Sequence, residues 1–234
     1  MQTSKSEISD IFSSIQGEGI FVGAKQIFVR FRQCNLACAF CDEPWQKEAK
    51  LYSPLELMTE VKYLDLNKGP HHSISFTGGE PLMYTDFLKV FLKISRKAGF
   101  KSYLETNGTM PEALSEVIDL VDIISMDFKL PSSTGLRPYW DEHFEFLKIA
   151  VKKNVFVKAV VTSRTTREDV EKSVELVRRV KKEMPLVLQP VTPVEKGDRP
   201  VENSTLLEFL DIGSRSEIDA MRVIPQVHKM LGVK

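Results

Sequence analysis

From about residue 70 onward, short runs of β-branched and other apolar residues alternate with amphipathic stretches. That is the pattern of successive strand–helix units, which build a parallel sheet with helices outside it. The predicted strands are 73–76, 102–105, 123–126, 156–161, 186–188 and 221–224; an earlier one, 26–32, runs straight into a group of cysteines. In the stretch 167–184, Val170, Val174, Val177, Val180 and Met184 recur at helical spacing while Lys and Glu fill the other face, which predicts a surface helix with one buried stripe. Phe87, Val90, Phe91 and Ile94 repeat the device after Pro81, and Leu114, Val117, Ile118 and Val121 in the next unit. There is no internal repeat, low-complexity tract or long linker, although 185–200 holds four prolines and is predicted as a surface excursion. Residues 1–234 read as a single α/β domain. A barrel or partial barrel of such units carries its chemistry on the loops after the carboxyl ends of its strands.

Composition narrows the partners. The 234 residues are 42% hydrophobic and 27% charged, enough to bury one large core. Lys plus Arg and Asp plus Glu each total 32, so no global basic field exists to grip a phosphate backbone, and nucleic acid is not an expected partner. No apolar run approaches the roughly 18 residues of a membrane span, and residues 1–10 are polar, so a soluble cytoplasmic protein is expected. The three cysteines, an odd number within eight residues, suit a reducing compartment and a metal rather than a disulfide framework.

Cys34, Cys38 and Cys41 leave three residues, then two, between thiols on a loop after a strand, close enough to converge on one metal centre. A structural zinc site needs a fourth ligand, which His71 or His72 would have to supply, and the spacing matches zinc fingers poorly. Three thiolates leave one iron of a four-iron cluster open. Further on, Ser75-Phe-Thr-Gly-Gly-Glu-Pro81 ends a strand with two glycines, a carboxylate and a proline. Glycine permits close backbone approach, and a carboxylate or carbonyl can accept from an ammonium. Glu105-Thr-Asn-Gly108 ends the next strand.

These segments resemble the radical S-adenosylmethionine superfamily. The resemblance implies a partial, modified β/α barrel and a 4Fe-4S cluster on Cys34, Cys38 and Cys41. It further implies S-adenosylmethionine on the open iron, cleaved by one electron to a 5′-deoxyadenosyl radical. The implied cofactor contacts are Gly79 with Glu80, then Asn107, then Asp127, Phe128 and Lys129, and finally Gln189, Pro190, Val191 and Thr192. Ser125, Asp127 and Lys129 alternate with Met126 and Phe128, giving a polar face suited to a barrel lumen. The family usually reads Ser-Pro-Lys here, so only Lys129 matches literally.

Ser14-Ile-Gln-Gly-Glu-Gly19, Ile27-Phe-Val-Arg-Phe31 and Pro225-Gln-Val-His-Lys-Met-Leu-Gly-Val-Lys234 are similar to the 7-carboxy-7-deazaguanine synthase family, so the resemblance covers nearly the whole chain. It implies a 6-carboxy-tetrahydropterin substrate that contracts its ring and loses ammonia in deazapurine and queuosine synthesis. Arg30 matches the carboxylate-binding arginine, and a guanidinium can hold a carboxylate bidentately. Strand parity places Phe28, Arg30 and Arg32 on one face. Ile15, Gln16 and Gly17 carry over as the pterin-edge segment with Glu18 nearby, Thr77 as a further substrate contact, and His228 as the pocket histidine. Lys234 carries over through its carboxylate, its side chain having no part.

No side chain is assigned to bond making itself. The family usually has Thr or Ser after Cys-Asp, where the hydroxyl helps hold magnesium; here Glu43 follows Cys41-Asp42 and is the candidate magnesium ligand. A reductase or flavodoxin-type electron donor and a homodimer are implied by likeness alone. Glycyl-radical activating enzymes, and noncatalytic iron–sulfur or zinc proteins, are the alternatives.

Overall fold

A computed structural model of the chain describes residues 5–42, 48–192, 199–218 and 220–234. Its strands are β1 (Ser6–Ile15), β2 (Lys25–Phe31), β3 (Lys50–Tyr52), β4 (Ser73–Gly78), β5 (Ser102–Thr106), β6 (Ile123–Phe128), β7 (Asn154–Val161), β8 (Leu186–Pro190) and β9 (Met221–Val223). The helices are α1 (Pro54–Lys68), α2 (Thr85–Lys97), α3 (Pro111–Val117), α4 (Pro131–Thr134), α5 (Trp140–Ala150), α6 (Arg167–Val180), α7 (Asn203–Arg215) and α8 (Val227–Leu231). One sheet of nine strands runs in the order β3-β1-β2-β4-β5-β6-β7-β8-β9. From β2 to β9 every neighbouring pair is parallel, and β1 pairs antiparallel with both β2 and β3. The sheet is open, a partial barrel.

Alternation along each parallel strand makes both a core and a lumen. Ile27, Val29 and Phe31 of β2, Ile74 and Phe76 of β4, and Ile124, Met126 and Phe128 of β6 point into the apolar layer beneath the helices. Val155, Val157, Ala159 and Val161 of β7 continue that layer. The residues between them face inward. Near the amino ends of the strands the lumen is plugged by Tyr103, Ile123, Phe156 and Val187, with Ile20, Phe21 and Ile224 packed against them. Toward the carboxyl ends the inward positions become Thr77, Glu105, Asp127 and Gln189. A strand buried on both faces reads as a nearly continuous apolar run, which is why these elements are visible in the sequence.

The helical stripes hold with two changes. Val170, Val174 and Val177 are buried as expected, but α6 stops at Val180 because Lys181 adopts an extended backbone (φ −164°, ψ 106°). Met184 is buried beyond that turn. In α2 the buried stripe is Phe87, Leu88, Phe91 and Leu92, whereas Val90 is 37% exposed on its outer edge. Within 185–200 the first part is β8, and residues 193–198 lie outside the described residues. Among the described residues no helix is long and apolar enough to cross a membrane.

Candidate active site

A single cavity at the carboxyl ends of the strands gathers most of the residues that the sequence nominates. Ile15 enters from the end of β1, Gln16, Gly17 and Glu18 from the loop that follows it, and Arg30 and Thr77 from β2 and β4. Gly79, Asn107, Asp127, Lys129, Gln189, Val191 and Thr192 enter from strand ends and the turns that follow. Cys34, Cys38 and Cys41 line it from the loop after β2, and His228 and Lys234 from the C-terminal segment. The end of β2 at Phe31 divides two arginines of the same parity: Arg30 reaches the cavity with its guanidinium carbon 5.5 Å from the centre of the Phe12 ring, while Arg32, just past the strand, pairs with Glu7 at 3.4 Å on the surface. Neither His71 nor His72 lines the cavity. His71 is engaged by Asp65 and Ser13, both at 2.8 Å.

Three nominated residues do not line the cavity. Phe128 falls on the outward parity of β6 and packs against Trp140 and His143 in the core. Pro190 follows Leu186 and Leu188 on the outward parity of β8. Glu80 is fully buried beneath the wall. Its carboxylate accepts from Leu82 N at 3.0 Å, Thr106 Oγ1 at 2.8 Å and Asn107 N at 2.8 Å. Burial raises the pKa of this group, opposed by those three donors. Glu80 therefore fixes Asn107, which lines the cavity in its place. Glu43 lies outside the described residues.

The glycine pair before Glu80 serves the neighbouring chain. Gly78 has φ +103°, and a Cβ on Gly79 would lie 1.9 Å from the Gln33 carbonyl oxygen. Gly79 N donates to Phe31 O at 2.8 Å and Glu80 N to Gln33 O at 2.7 Å, which clamps the first residue of the cysteine loop to the end of β4. The far side of that loop is held by Ala39 N donating to Thr134 O at 2.9 Å. Close backbone approach, expected toward a cofactor, is here required by Gln33.

The loop after β1 is likewise no solvated turn. Gln16 is 2% exposed, and its amide donates to Gln26 Oε1 at 2.9 Å and Glu105 Oε1 at 3.0 Å while accepting from Glu18 N at 3.0 Å. Both amide hydrogens are thereby used, so Gln16 shapes the loop. Glu105 also accepts from Ser75 Oγ at 2.8 Å and Thr77 Oγ1 at 3.1 Å. Glu18 pairs with Lys158 and accepts from Gln226 Nε2 at 2.9 Å. Burial works against its charge, but the Lys158 ammonium and the Gln226 amide outweigh that and lower its pKa to about 2. Lys158 is buried too, and Asp127 and Glu18 overcome the desolvation to raise its pKa.

Lys158 is a site residue that pattern reading missed, and Glu105 and Gln226 lie in segments that carry the resemblance but were given no role of their own. A lone lysine inside the apolar run Val155-Phe-Val-Lys-Ala-Val-Val161 was the available signal, since lysine is almost never buried unless paired.

The C-terminal segment crosses the cavity. Val227 N donates to Gly17 O at 2.9 Å, and a Cβ on Gly17 would lie 2.2 Å from His228 Nδ1, so only glycine admits the histidine. Lys229 Nζ donates to Asp42 Oδ2 at 2.7 Å, beside Cys41. The Lys234 ammonium pairs with Asp10 and stands 4.7 Å from the Phe12 ring centre, and Ser14 Oγ donates to its main-chain oxygen at 2.6 Å. The side chain, expected to have no part in holding the substrate, anchors the segment to β1.

The wall fits a cluster and a cofactor bearing donors and positive charge. Three thiols face one cavity from a loop clamped at both sides, although no group of three His, Cys, Asp or Glu ligands is preassembled among the described residues. Burial raises all three thiol pKa values, the state that a metal would reverse by binding thiolates. Asp127 Oδ1 and Gln189 Oε1 are buried acceptors on the wall with no hydrogen-bond partner among the described residues. Such orphans are costly unless a ligand satisfies them.

Comparison with known proteins agrees with this geometry. Residues 28–185 match the model of the Radical SAM superfamily. A curated 7-carboxy-7-deazaguanine synthase from Geobacter sulfurreducens is 38% identical, covering 97% of each chain, and one from Methanothermobacter thermautotrophicus is 33% identical, covering 98% of each. The crystal structure of QueE from Escherichia coli superposes with a TM-score of 0.64 at 21% identity, over 96% of this chain and 95% of that one, a likeness of fold. With its cysteine loop, its open parallel sheet and these full-length relatives, the chain belongs to the radical S-adenosylmethionine superfamily and, within it, to the 7-carboxy-7-deazaguanine synthase family.

Proposed function

We propose that the chain converts 6-carboxy-5,6,7,8-tetrahydropterin to 7-carboxy-7-deazaguanine with loss of ammonia. The observation that carries this reading is that one cavity holds both the three thiols and Arg30, together with Ile15, Gln16, Gly17 and Glu18. When bound, the cluster and S-adenosylmethionine supply a 5′-deoxyadenosyl radical able to take hydrogen from a ring carbon. The protein's own work is orientation and exclusion of water. Arg30 fixes the carboxylate, Glu18 and Glu105 offer acceptors to ring N–H and amino groups, and the segment 225–234 covers the ligand. Asp127, Lys129 and Gln189 present the polar wall toward the cofactor. The electron comes from an external reductase or flavodoxin-type donor, and the working form is a homodimer, both supported by family likeness.

The test is anaerobic reconstitution followed by mass spectrometry. The expected products from the carboxypterin are 7-carboxy-7-deazaguanine and ammonia; 5′-deoxyadenosine formed under reduction with the pterin left intact would overturn the substrate assignment. Arg30→Ala is expected to weaken pterin binding by roughly 2 to 5 kcal/mol while slow cofactor cleavage without substrate persists. Unchanged pterin affinity would remove Arg30 from the site.

A further inference from the structure

Lys158 is the buried ion of the cavity wall to which the proposed reaction gives no task. It lies in the middle of β7 between Val157 and Ala159, both wholly buried, and only 10% of its side chain is exposed. A lysine so placed needs carboxylates around it. Among the described residues two pair with it, from different parts of the site, while Glu105 faces it from farther off. Glu18, on the loop after β1, touches the ammonium directly, and Asp127, at the end of β6, stands 3.7 Å away. Each carboxylate has a further partner: Gln226 Nε2 donates to Glu18 at 2.9 Å, and Lys129 Nζ to Asp127 Oδ2 at 2.7 Å.

The result is an alternating chain, Gln226–Glu18–Lys158–Asp127–Lys129, that crosses the cavity. One end is the loop that receives the pterin edge. At the other end the Lys129 ammonium is 5.7 Å from the centre of the Phe40 ring, between Cys38 and Cys41. Asp127 keeps its second oxygen buried, with no hydrogen-bond partner among the described residues.

We propose that Lys158 is a positioning residue that couples the two ligand subsites by dividing its charge between Glu18 on the pterin side and Asp127 on the S-adenosylmethionine side. This deepens the function proposed above and depends on it for the identity of the pterin. One ammonium cannot hold both carboxylates at full contact; it touches Glu18 and stands back from Asp127. When Glu18 is neutralised or engaged by a donor, Asp127 becomes the stronger attraction. The ammonium then draws toward Asp127 and takes acceptor capacity otherwise open to the cofactor. Engagement of Asp127 returns the ammonium to Glu18 in the same way. Each ligand thus drives the one counter-ion onto the other's carboxylate, and linkage requires each to weaken the other by the same factor.

The experiment is a double-substitution cycle on the reconstituted holoenzyme, read as S-adenosylmethionine affinity by anaerobic equilibrium dialysis without reductant. Glu18→Gln is expected to weaken cofactor binding about fivefold in the wild-type background, although residue 18 belongs to the pterin loop. In the Lys158→Gln background the same change is expected to have no effect, and Lys158→Arg, which keeps the cation, restores the dependence. If Lys158→Gln does not fold, Asp127→Asn is the second background, with the same expectation. An unchanged affinity in Glu18→Gln, or an equal change in every background, overturns the proposal.

A second arm uses pterin-6-carboxylate as probe. It and S-adenosylmethionine should raise each other's Kd about fivefold in the wild type and leave each other unchanged in Lys158→Gln. Failure of the probe to bind the wild type would remove the pterin reading, while the Glu18 cycle still decides the coupling.

Discussion

The turn after β4 and the loop after β1 each bury a glutamate, and they treat it in opposite ways. Glu80 is met by two backbone N–H groups and a hydroxyl, all neutral, and burial leaves its pKa raised. Glu18, less completely buried, is met by an ammonium and an amide, and its pKa falls to about 2 against its desolvation. The lesson is that burial alone does not separate framework from function. A carboxylate tied to fixed backbone donors immobilises the chain around it, whereas one sharing a cation with a second carboxylate can exchange partners.

The two groups also impose opposite pH slopes. Glu18, with its folded pKa below the ordinary 4.5, adds stability that is complete above that pH and is lost as pH falls toward 2. Glu80, with its folded pKa raised, holds its proton more tightly folded than unfolded, so its contribution falls as pH rises through the range just above 4.5.

The comparison can be broken most severely at Gly79. Gly79→Ala places a methyl group 1.9 Å from the Gln33 carbonyl, so a loss of about 3 kcal/mol or more is expected in urea titration, together with failure to load iron. Full iron content in a stable variant would show that the clamp on the cysteine loop is dispensable. Glu80→Ala strands Leu82 N, Asn107 N and Thr106 Oγ1, and should cost about 2 to 3 kcal/mol. It should also weaken cofactor binding through Asn107, and no change in either measurement would make Glu80 idle.

Glu18→Gln is milder, about 1.5 kcal/mol at neutral pH, since Lys158 keeps Asp127. Its sharper signature is a flatter stability profile between pH 4.5 and pH 2 than the wild type shows. An identical acid limb would mean that Glu18 is not held ionised. Arg32→Ala should fall below about 0.5 kcal/mol with pterin affinity intact, because its Glu7 pair is solvent-exposed. A loss resembling that of Arg30→Ala would restore it to the site.

Legibility followed what each residue needed to know about the rest of the fold. The strands β4 to β8 were visible because burial on both faces makes apolar runs. β1 was not, because the register shift between Ile8 and Asp10 interrupts its alternation and it lies next to the sheet edge, antiparallel to both neighbours. α1 hid for another reason: Leu57, Met58 and Val61 are buried while Leu55, Tyr63 and Leu66 are exposed, so no single stripe stands out. In the site, Cys34, Cys38 and Cys41 announce themselves by spacing. Lys158 and Gln226 do not, since their partner Glu18 is 140 and 208 residues distant in sequence. Parity alone would have removed Phe128 and Pro190 from the wall.

The segment 225–234 closes the cavity without pairing into the sheet. Its ties to the walls are mostly polar: Val227 to Gly17, Gln226 to Glu18 and Thr192, Lys229 to Asp42, and Lys234 to Asp10, Ser14 and the Phe12 ring. α8 buries none of its residues. Lifting the segment therefore breaks no strand ladder, and the cavity opens by local unfolding far below the free energy that melts the sheet. Ligand residence time and global stability are set by different parts of the chain. Raising ionic strength, which screens the exposed Lys229 and Lys234 pairs, shortens the first and leaves the second nearly untouched.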